Sequence, residues 1–249
     1  MKVAIVIVSY KPDLHWLSYC LRFLHRNWKE PGTEIVVRVE PDCREIVETW
    51  RVPQVRYEYV EPWPDGYAFQ MYCKMTADFY TNADLIILVD SDLMLFHPVF
   101  LDDILVDGKI PIDWLPWNES QIAEQAWRAC TSKIMGMDLD NDYMVSAPFP
   151  VWRRTFGEVR DRIEKVNQKP FEVAIFSDVP FTTAGFNSHP LRLADYEALY
   201  LWAAKTDPGG YILRNCHDRP QPWPWRLYWS RGDWSPELQA GFDRLLTSQ

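Results

Sequence analysis

The sequence predicts a single α/β domain, and three observations carry that prediction. Short runs of Val, Ile and Leu alternate with stretches whose apolar residues recur at helical spacing, the pattern of βαβ units. The 249 residues suit one large domain, with no repeat, flexible linker or low-complexity tract dividing them. The run Leu85–Val89 is apolar throughout, as in a strand buried on both faces of a parallel sheet.

The elements follow in order. Val3–Val8 reads as the first strand. Its apolar core is too short for a signal peptide, and Ser9–Asp13 behind it offers no small-residue cleavage site. Leu14, Leu17, Leu21 and Leu24 mark a helix. Thr33–Val39 is a second strand, Cys43–Trp50 a short helix and Gln54–Val60 a third strand. Two prolines and an Asp-Gly make Glu61–Gly66 a loop, Tyr67–Tyr80 reads as a helix, and Ala83–Val89 is the central strand. Past Pro98 the pattern loosens. Val99–Leu105 reads as a short helix, Ile110–Trp117 as β or irregular, Gln121–Met135 as helix and Asp138–Asp142 as an acidic loop. Trp152–Gln168 is amphipathic helix, Phe171–Phe176 strand, Leu193–Ala204 helix and Tyr211–Arg214 strand, before an aromatic, proline-rich tail from Pro220 to Trp234.

Composition narrows the function. A formal charge of −9 argues against a protein that coats nucleic acid or an anionic membrane. No segment reaches the ~20 apolar residues of a membrane span. Five widely spaced cysteines without a C-x-x-C favour free thiols in a reducing cytoplasm over a disulfide framework or a zinc site. Thirteen Trp, twelve Tyr and twelve Phe supply rings that could lie against sugars or bases, or simply enlarge the core.

The central strand ends in Asp90-Ser91-Asp92, two carboxylates one residue apart where the chain leaves the sheet. Ligands of open α/β sheets sit at that carboxyl end. Hard oxygen donors there suit Mg²⁺ or Mn²⁺, with a phosphate completing the coordination shell. The alternative is a turn whose carboxylates only cap the next segment.

Three features in this order resemble the glycosyltransferases of the Rossmann-like GT-A fold. They are a first strand followed by Ser9, Tyr10 and Asp13, then Gly66-Tyr67-Ala68-Phe69-Gln70 with Lys74, then Asp90-Ser91-Asp92. The segments VDSDLMLFHP (89–98), PFPVWRRTFGEVRDRIE (148–164) and ADYEALYLWA (194–203) are similar to a family of small bacterial and phage glycosyltransferase-like proteins. The resemblance covers most of residues 1–214 and is strongest around the acidic pair. It implies a mixed central sheet, a nucleotide-sugar-binding half (1–98), and an acceptor-binding half with an irregular tail (99–249). It also implies a nucleoside-diphosphate-sugar donor, a UDP-sugar first, held through a divalent cation.

The resemblance also distributes roles. Asp92 is the direct metal ligand, with Asp90 and Ser91 nearer the donor ribose or a metal-bound water. His217 is the further metal ligand, with Asp218 as substitute, while His97 and His189, each before a proline, read as loop residues. Tyr10 would stack on the base beside Ser9. Asp13 would accept from a base N–H, or else cap the following helix. Lys74, one turn beyond Gln70, would reach a donor phosphate or sugar hydroxyl, or else stand on the surface. Asp195 or Glu197 would take the acceptor hydroxyl's proton. Residues two apart on a helix point in different directions, so only one of them faces the acceptor. Trp223-Pro224-Trp225, with Arg219 and Trp229, reads as an acceptor wall or lid, or as a segment packed across the domain.

The acceptor itself stays open between a glycan or lipid-linked sugar and a hydroxymethylated pyrimidine of phage DNA. For DNA, Arg153, Arg154, Arg160 and Arg162 form the one dense basic cluster in the sequence. A phosphohydrolase of haloacid-dehalogenase type also writes D-x-D after a buried strand, but on an early strand and with Thr or Val two residues after the second Asp, where this chain has Met94. A non-catalytic sugar-binding module is the third reading, though it would not need a complete donor site.

Overall fold

The computed structural model describes residues 1–61, 66–120, 125–145, 147–176, 193–219, 225–228 and 234–247. The chain forms a mixed five-stranded sheet covered by helices. Strands β1 (Val3–Val8), β2 (Glu34–Val39), β3 (Val55–Tyr59) and β4 (Leu85–Asp90) run parallel, and β8 (Phe149–Trp152) closes the order β3-β2-β1-β4-β8 antiparallel to β4. All six residues of β1 and the first five of β4 are buried, as strands covered on both faces require.

The order of strands places the site. From β1 the chain moves outward to β2 and β3, then returns to lay β4 on the other side of β1. The crevice at the carboxyl ends of β1 and β4 is therefore the topological switch point, where open α/β sheets bind their ligands.

Helix α1 (Leu14–Asn27) links β1 to β2, and the short α2 (Arg44–Val47) precedes β3. Helix α3 (Gly66–Met75) packs on β1, and β5 (Leu93–Leu95) follows the acidic pair directly. A second, three-stranded sheet joins β6 (Ile110–Pro116), β7 (Asn141–Asp142) and β9 (Tyr211–Asn215). Helices α4 (Gln125–Met135), α5 (Arg153–Asn167), α6 (Phe171–Phe176) and α7 (Asp195–Thr206) complete the second half. Strand β10 (Trp225–Leu227) pairs with β5, and α8 (Pro236–Thr247) packs on α1. All five cysteines are free. Among the described residues no helix is long and apolar enough to cross a membrane.

The structure corrects several expectations. Phe171–Phe176 is helix, not strand. Phe171, Ala174 and Ile175 are buried at helical spacing while Glu172 and Val173 face out, so packing overrides the β-like alternation of Phe171, Val173 and Ile175. Val99–Leu105 shrinks to one 3₁₀ turn, Leu101–Asp103. The helix expected over Tyr67–Tyr80 breaks after Met75, and Ala77–Phe79 is a 3₁₀ turn. The acidic loop ends in a strand, β7. Strand β8 is an element the sequence reading missed, because Pro150 argues against a strand; β8 pairs only with β4 in the sheet, where a proline is tolerated.

Candidate functional site at the carboxyl ends of β1 and β4

Sheet register decides which side chains meet. Arg38 on β2, Val8 on β1 and Asp90 on β4 lie in one row, so all three point to the same face. That face is covered by α3, whose Phe69 and Cys73 pack on Val8. Lys74 follows Cys73, and its ammonium donates to Asp90 Oδ1 at 2.6 Å. Arg38 is fully buried and donates to the Cys73 carbonyl at 2.8 Å, while Arg160 on α5 donates to the Met75 carbonyl at 2.7 Å. Two guanidinium groups thus cap the carbonyl end of α3, where cations are favoured, and hold the turn that carries Lys74.

Helix α7 approaches the same face. Leu88, two residues before Asp90, is in register with Phe149 of β8, and the Tyr196 ring stacks on Phe149 with centroids 3.6 Å apart. From there the Tyr196 hydroxyl donates to Asp90 Oδ1 at 2.9 Å, and its ring lies 4.3 Å from the Lys74 ammonium. Asp195, the first residue of α7, is 2% exposed, with its Oδ2 3.6 Å from the same ammonium. Among the described residues that oxygen has no hydrogen-bond partner.

The ionisations reflect these contacts. Burial pushes the Asp195 carboxyl above its ordinary value, with Lys74 opposing the rise. Burial pulls Lys74 down, but Asp195 and Asp90 outweigh it and hold the ammonium charged. Burial, and then Asp90, lift the Tyr196 phenol well above its usual range. The charge of Asp92, two residues beyond Asp90, also acts on Lys74, Tyr196 and Cys20. Asp90 and Asp195 thus share one ammonium, and Asp92 adds a further negative charge nearby.

That surplus fits a divalent cation. Among the described residues the one trio of His, Cys, Asp or Glu ligand atoms within 4.8 Å of one another is Glu40, Asp42 and Cys43. Burial pushes the Cys43 thiol up to about 11, which leaves that trio a poor metal centre. Asp90 and Asp92 form no closed cage, and Mg²⁺-type ions are commonly held by one or two carboxylates with the remaining ligands from water and substrate phosphate. Ser9 adds a buried hydroxyl at the end of β1 whose oxygen has no hydrogen-bond partner among the described residues. The donor set fits the implied ion.

Other expected residues fall as follows. Tyr10 is exposed beside Ser9 at the end of β1. Asp13 occupies the N-cap position of α1 without making a side-chain cap hydrogen bond, which sets the capping alternative aside. Gln70 lies one turn before Lys74 on α3, and Ser91 is buried between the two carboxylates. Lys74 is no surface residue: its ammonium serves Asp90 and Asp195.

Glu197 points elsewhere. It accepts from the Tyr143 N–H at 3.1 Å, and burial, reinforced by neighbouring Asp142, lifts its carboxyl well above the usual range. Of the two carboxylates in the first turn of α7, Asp195 is the one drawn to Lys74, the partner of Asp90.

The structure does not gather His217 with the acidic pair. His217 stands in a 3₁₀ turn after β9 with its ring exposed, and Nε2 meets Glu119 Oε2 at 3.0 Å. It shares no ligand cluster with Asp90 and Asp92. Asp218 belongs to the same turn. The four arginines of the basic cluster are engaged within the chain. Arg153 donates to the Thr81 and Asp78 carbonyls, Arg154 pairs with Asp207, Arg160 forks onto Asp78 at 2.6 and 2.7 Å, and Arg162 donates to the Met135 and Gly136 carbonyls. These guanidinium groups bolt α5 to its neighbours, although Arg153 and Arg154 stay exposed. Arg219 lies beside Asp113, 3.7 Å from its Oδ2. His189, Trp223, Pro224 and Trp229 lie outside the described residues, as does the Trp225 side chain.

Tyr196 is the residue that sequence reasoning missed. A tyrosine between two acidic residues at a helix start carries no signal until the fold sets it against β8. No protein-family model matches the chain, and no curated protein matches it.

Proposed function

We propose that this chain is a metal-dependent glycosyltransferase of GT-A type, moving a sugar from a nucleoside-diphosphate sugar, a UDP-sugar first, to a hydroxyl acceptor. The observation that carries the reading is the Asp90-Ser91-Asp92 turn at the β1–β4 switch point, with Lys74 and Asp195 drawn to it from two different helices. Mn²⁺ or Mg²⁺ bound there would stabilise the charge that develops on the departing diphosphate.

The chain's own residues divide the remaining work. Lys74 and Tyr196 both engage Asp90 Oδ1, which fixes the carboxylate and leaves its second oxygen for ligation. Asp92 is the direct ligand. Ser9, Tyr10 and Asp13 line the neighbouring strand end, where the resemblance expects the nucleoside. Asp195 is the acceptor-side base: burial strengthens its basicity, and its Oδ2 has the capacity to accept a proton. The internal engagement of the four arginines and the net charge of −9 favour a glycan or lipid-linked sugar over phage DNA as acceptor.

The test is release of nucleoside diphosphate from a panel of nucleotide sugars with Mn²⁺, for the native chain and Asp92→Asn. Manganese-dependent release that the variant loses supports the reading. Release of phosphate from simple phosphate esters, without nucleotide-sugar turnover, would replace it with the phosphohydrolase.

A further inference from the structure

We infer that the C-terminal segment is a positioning strap for the acidic turn, and that Tyr228 acts through its backbone N–H. The inference rests on the reading of that turn as a metal-binding site. The Tyr228 N–H donates to the carbonyl of Asp92 at 2.9 Å. Immediately before it, Trp225, Arg226 and Leu227 of β10 pair antiparallel with Leu95, Met94 and Leu93 of β5. Strand β5 starts one residue after Asp92, and among the described residues β10 is its one strand partner. The carboxylate that should ligate the cation therefore sits at a junction. One side is the rigid end of β4, and the other is held by a segment more than a hundred and thirty residues further along the chain.

A two-stranded pair is marginal by itself, so the strap needs an anchor. Its anchor is aromatic. The Tyr228 ring meets Phe242 of α8 edge-on at 5.3 Å, and Phe242, 1% exposed, also contacts Tyr19 and Phe23 of α1 at 5.2 and 5.6 Å. The Tyr19 hydroxyl donates to Asp243 at 2.7 Å, which ties α8 to α1 a second time. Helix α1 is also the element that follows the Ser9–Asp13 loop. The strap thus joins the two loops that flank the crevice, Asp92 through a backbone hydrogen bond and the first loop through its helix. Ligand geometry of this kind has to be held to about 0.5 Å, which a turn anchored on one side does not guarantee.

The test compares Tyr228→Pro, which removes the ring and the N–H, with Tyr228→Ala, which removes the ring alone. Two readouts are taken in the full chain: amide exchange of residues 90–95, and Mn²⁺ affinity from the spin resonance of free Mn²⁺. The strap predicts that Tyr228→Pro exchanges faster over 90–95 than Tyr228→Ala and binds Mn²⁺ about tenfold more weakly. A proline variant that matches the alanine variant in both readouts overturns it, because the N–H would then hold nothing. Should Tyr228→Pro fail to fold, Phe242→Ala loosens the anchor instead; exchange over 93–95 at the native rate would overturn the strap. Native chain that binds no Mn²⁺ refutes the metal reading of the site, while the exchange comparison still decides the strap.

Discussion

Replacing Lys74 by Met tests the charge network at the centre of the site. Lys74 is 3% exposed, and its ammonium is shared between Asp90 Oδ1 at 2.6 Å and Asp195 Oδ2 at 3.6 Å. Removing one partner of a buried pair costs about 3–5 kcal/mol because the other charge is left uncompensated. Asp90 is partly solvated and keeps the Tyr196 hydroxyl, which points to the lower end, about 3 kcal/mol. In a chain of this length that lowers Tm by about 6–12 °C. The pH dependence follows from Asp195, whose carboxyl already lies above its ordinary value and would rise further without the ammonium. An acid with a raised folded pKa binds more protons when folded than when unfolded. Its penalty is therefore absent below about pH 4 and grows as pH rises. The Lys74→Met deficit should accordingly be larger at pH 7 than at pH 4. Urea unfolding of Lys74→Met, Asp195→Asn and the double variant measures the coupling, which should reach about 1 kcal/mol or more. Strict additivity, or a Lys74→Met loss near zero, would refute the network.

Three further outcomes follow from the same geometry. Asp195→Asn should lower the transfer rate by about 10²–10⁴-fold, while Glu197→Gln, pointing away towards Tyr143, leaves it within a few fold; kcat measurements on each decide the assignment. Glu197, raised well above its ordinary value by burial and by Asp142, favours the fold in its protonated form, so its contribution falls as pH rises above the unfolded carboxylate range. Glu197→Gln should therefore flatten the loss of native urea midpoint between mildly acidic and alkaline pH, and parallel pH curves would contradict this. Arg160→Gln breaks a two-pronged pair with Asp78 and should cost about 3 kcal/mol in denaturant unfolding without changing the salt dependence of any DNA association; a reduced salt slope would return this face to the acceptor question.

What the sequence revealed and what it hid have physical causes. Strand β4 was legible because burial on both faces leaves an uninterrupted apolar run, and its carboxylates stood out against that run. The neighbouring position of β1 came only through the resemblance, and the parallel register of Val8 with Asp90 agrees with it. Phe171–Phe176 misled because six residues with alternating apolar side chains satisfy a strand pattern, while the i, i+3, i+4 burial that makes it a helix depends on its neighbours. At the site, Asp195 was named as one of two candidate acceptor-side bases, but its contact with Lys74 could not be read from spacing. The ion pair joins α3 to α7 across more than a hundred residues. Arg153, Arg154, Arg160 and Arg162 read as a basic patch because sequence shows charge density without showing the acceptors. The carbonyls and carboxylates that occupy them come from three separate stretches of the chain, around residues 75–81, 135–136 and 207.

The central claim is a cation-dependent nucleotide site at the ends of β1 and β4, and ligand-induced stabilisation tests it most directly. Melting is followed with UDP and a panel of nucleoside diphosphates, in Mn²⁺ or in EDTA, for the native chain and Asp92→Asn. A ligand at about 100 times its Kd stabilises the native state by about 2.7 kcal/mol, which here raises Tm by about 5–10 °C. A cation-dependent nucleotide site gives such a shift for at least one diphosphate in Mn²⁺, lost in EDTA and in Asp92→Asn. A shift of equal size in EDTA, or one that Asp92→Asn retains in full, would contradict it.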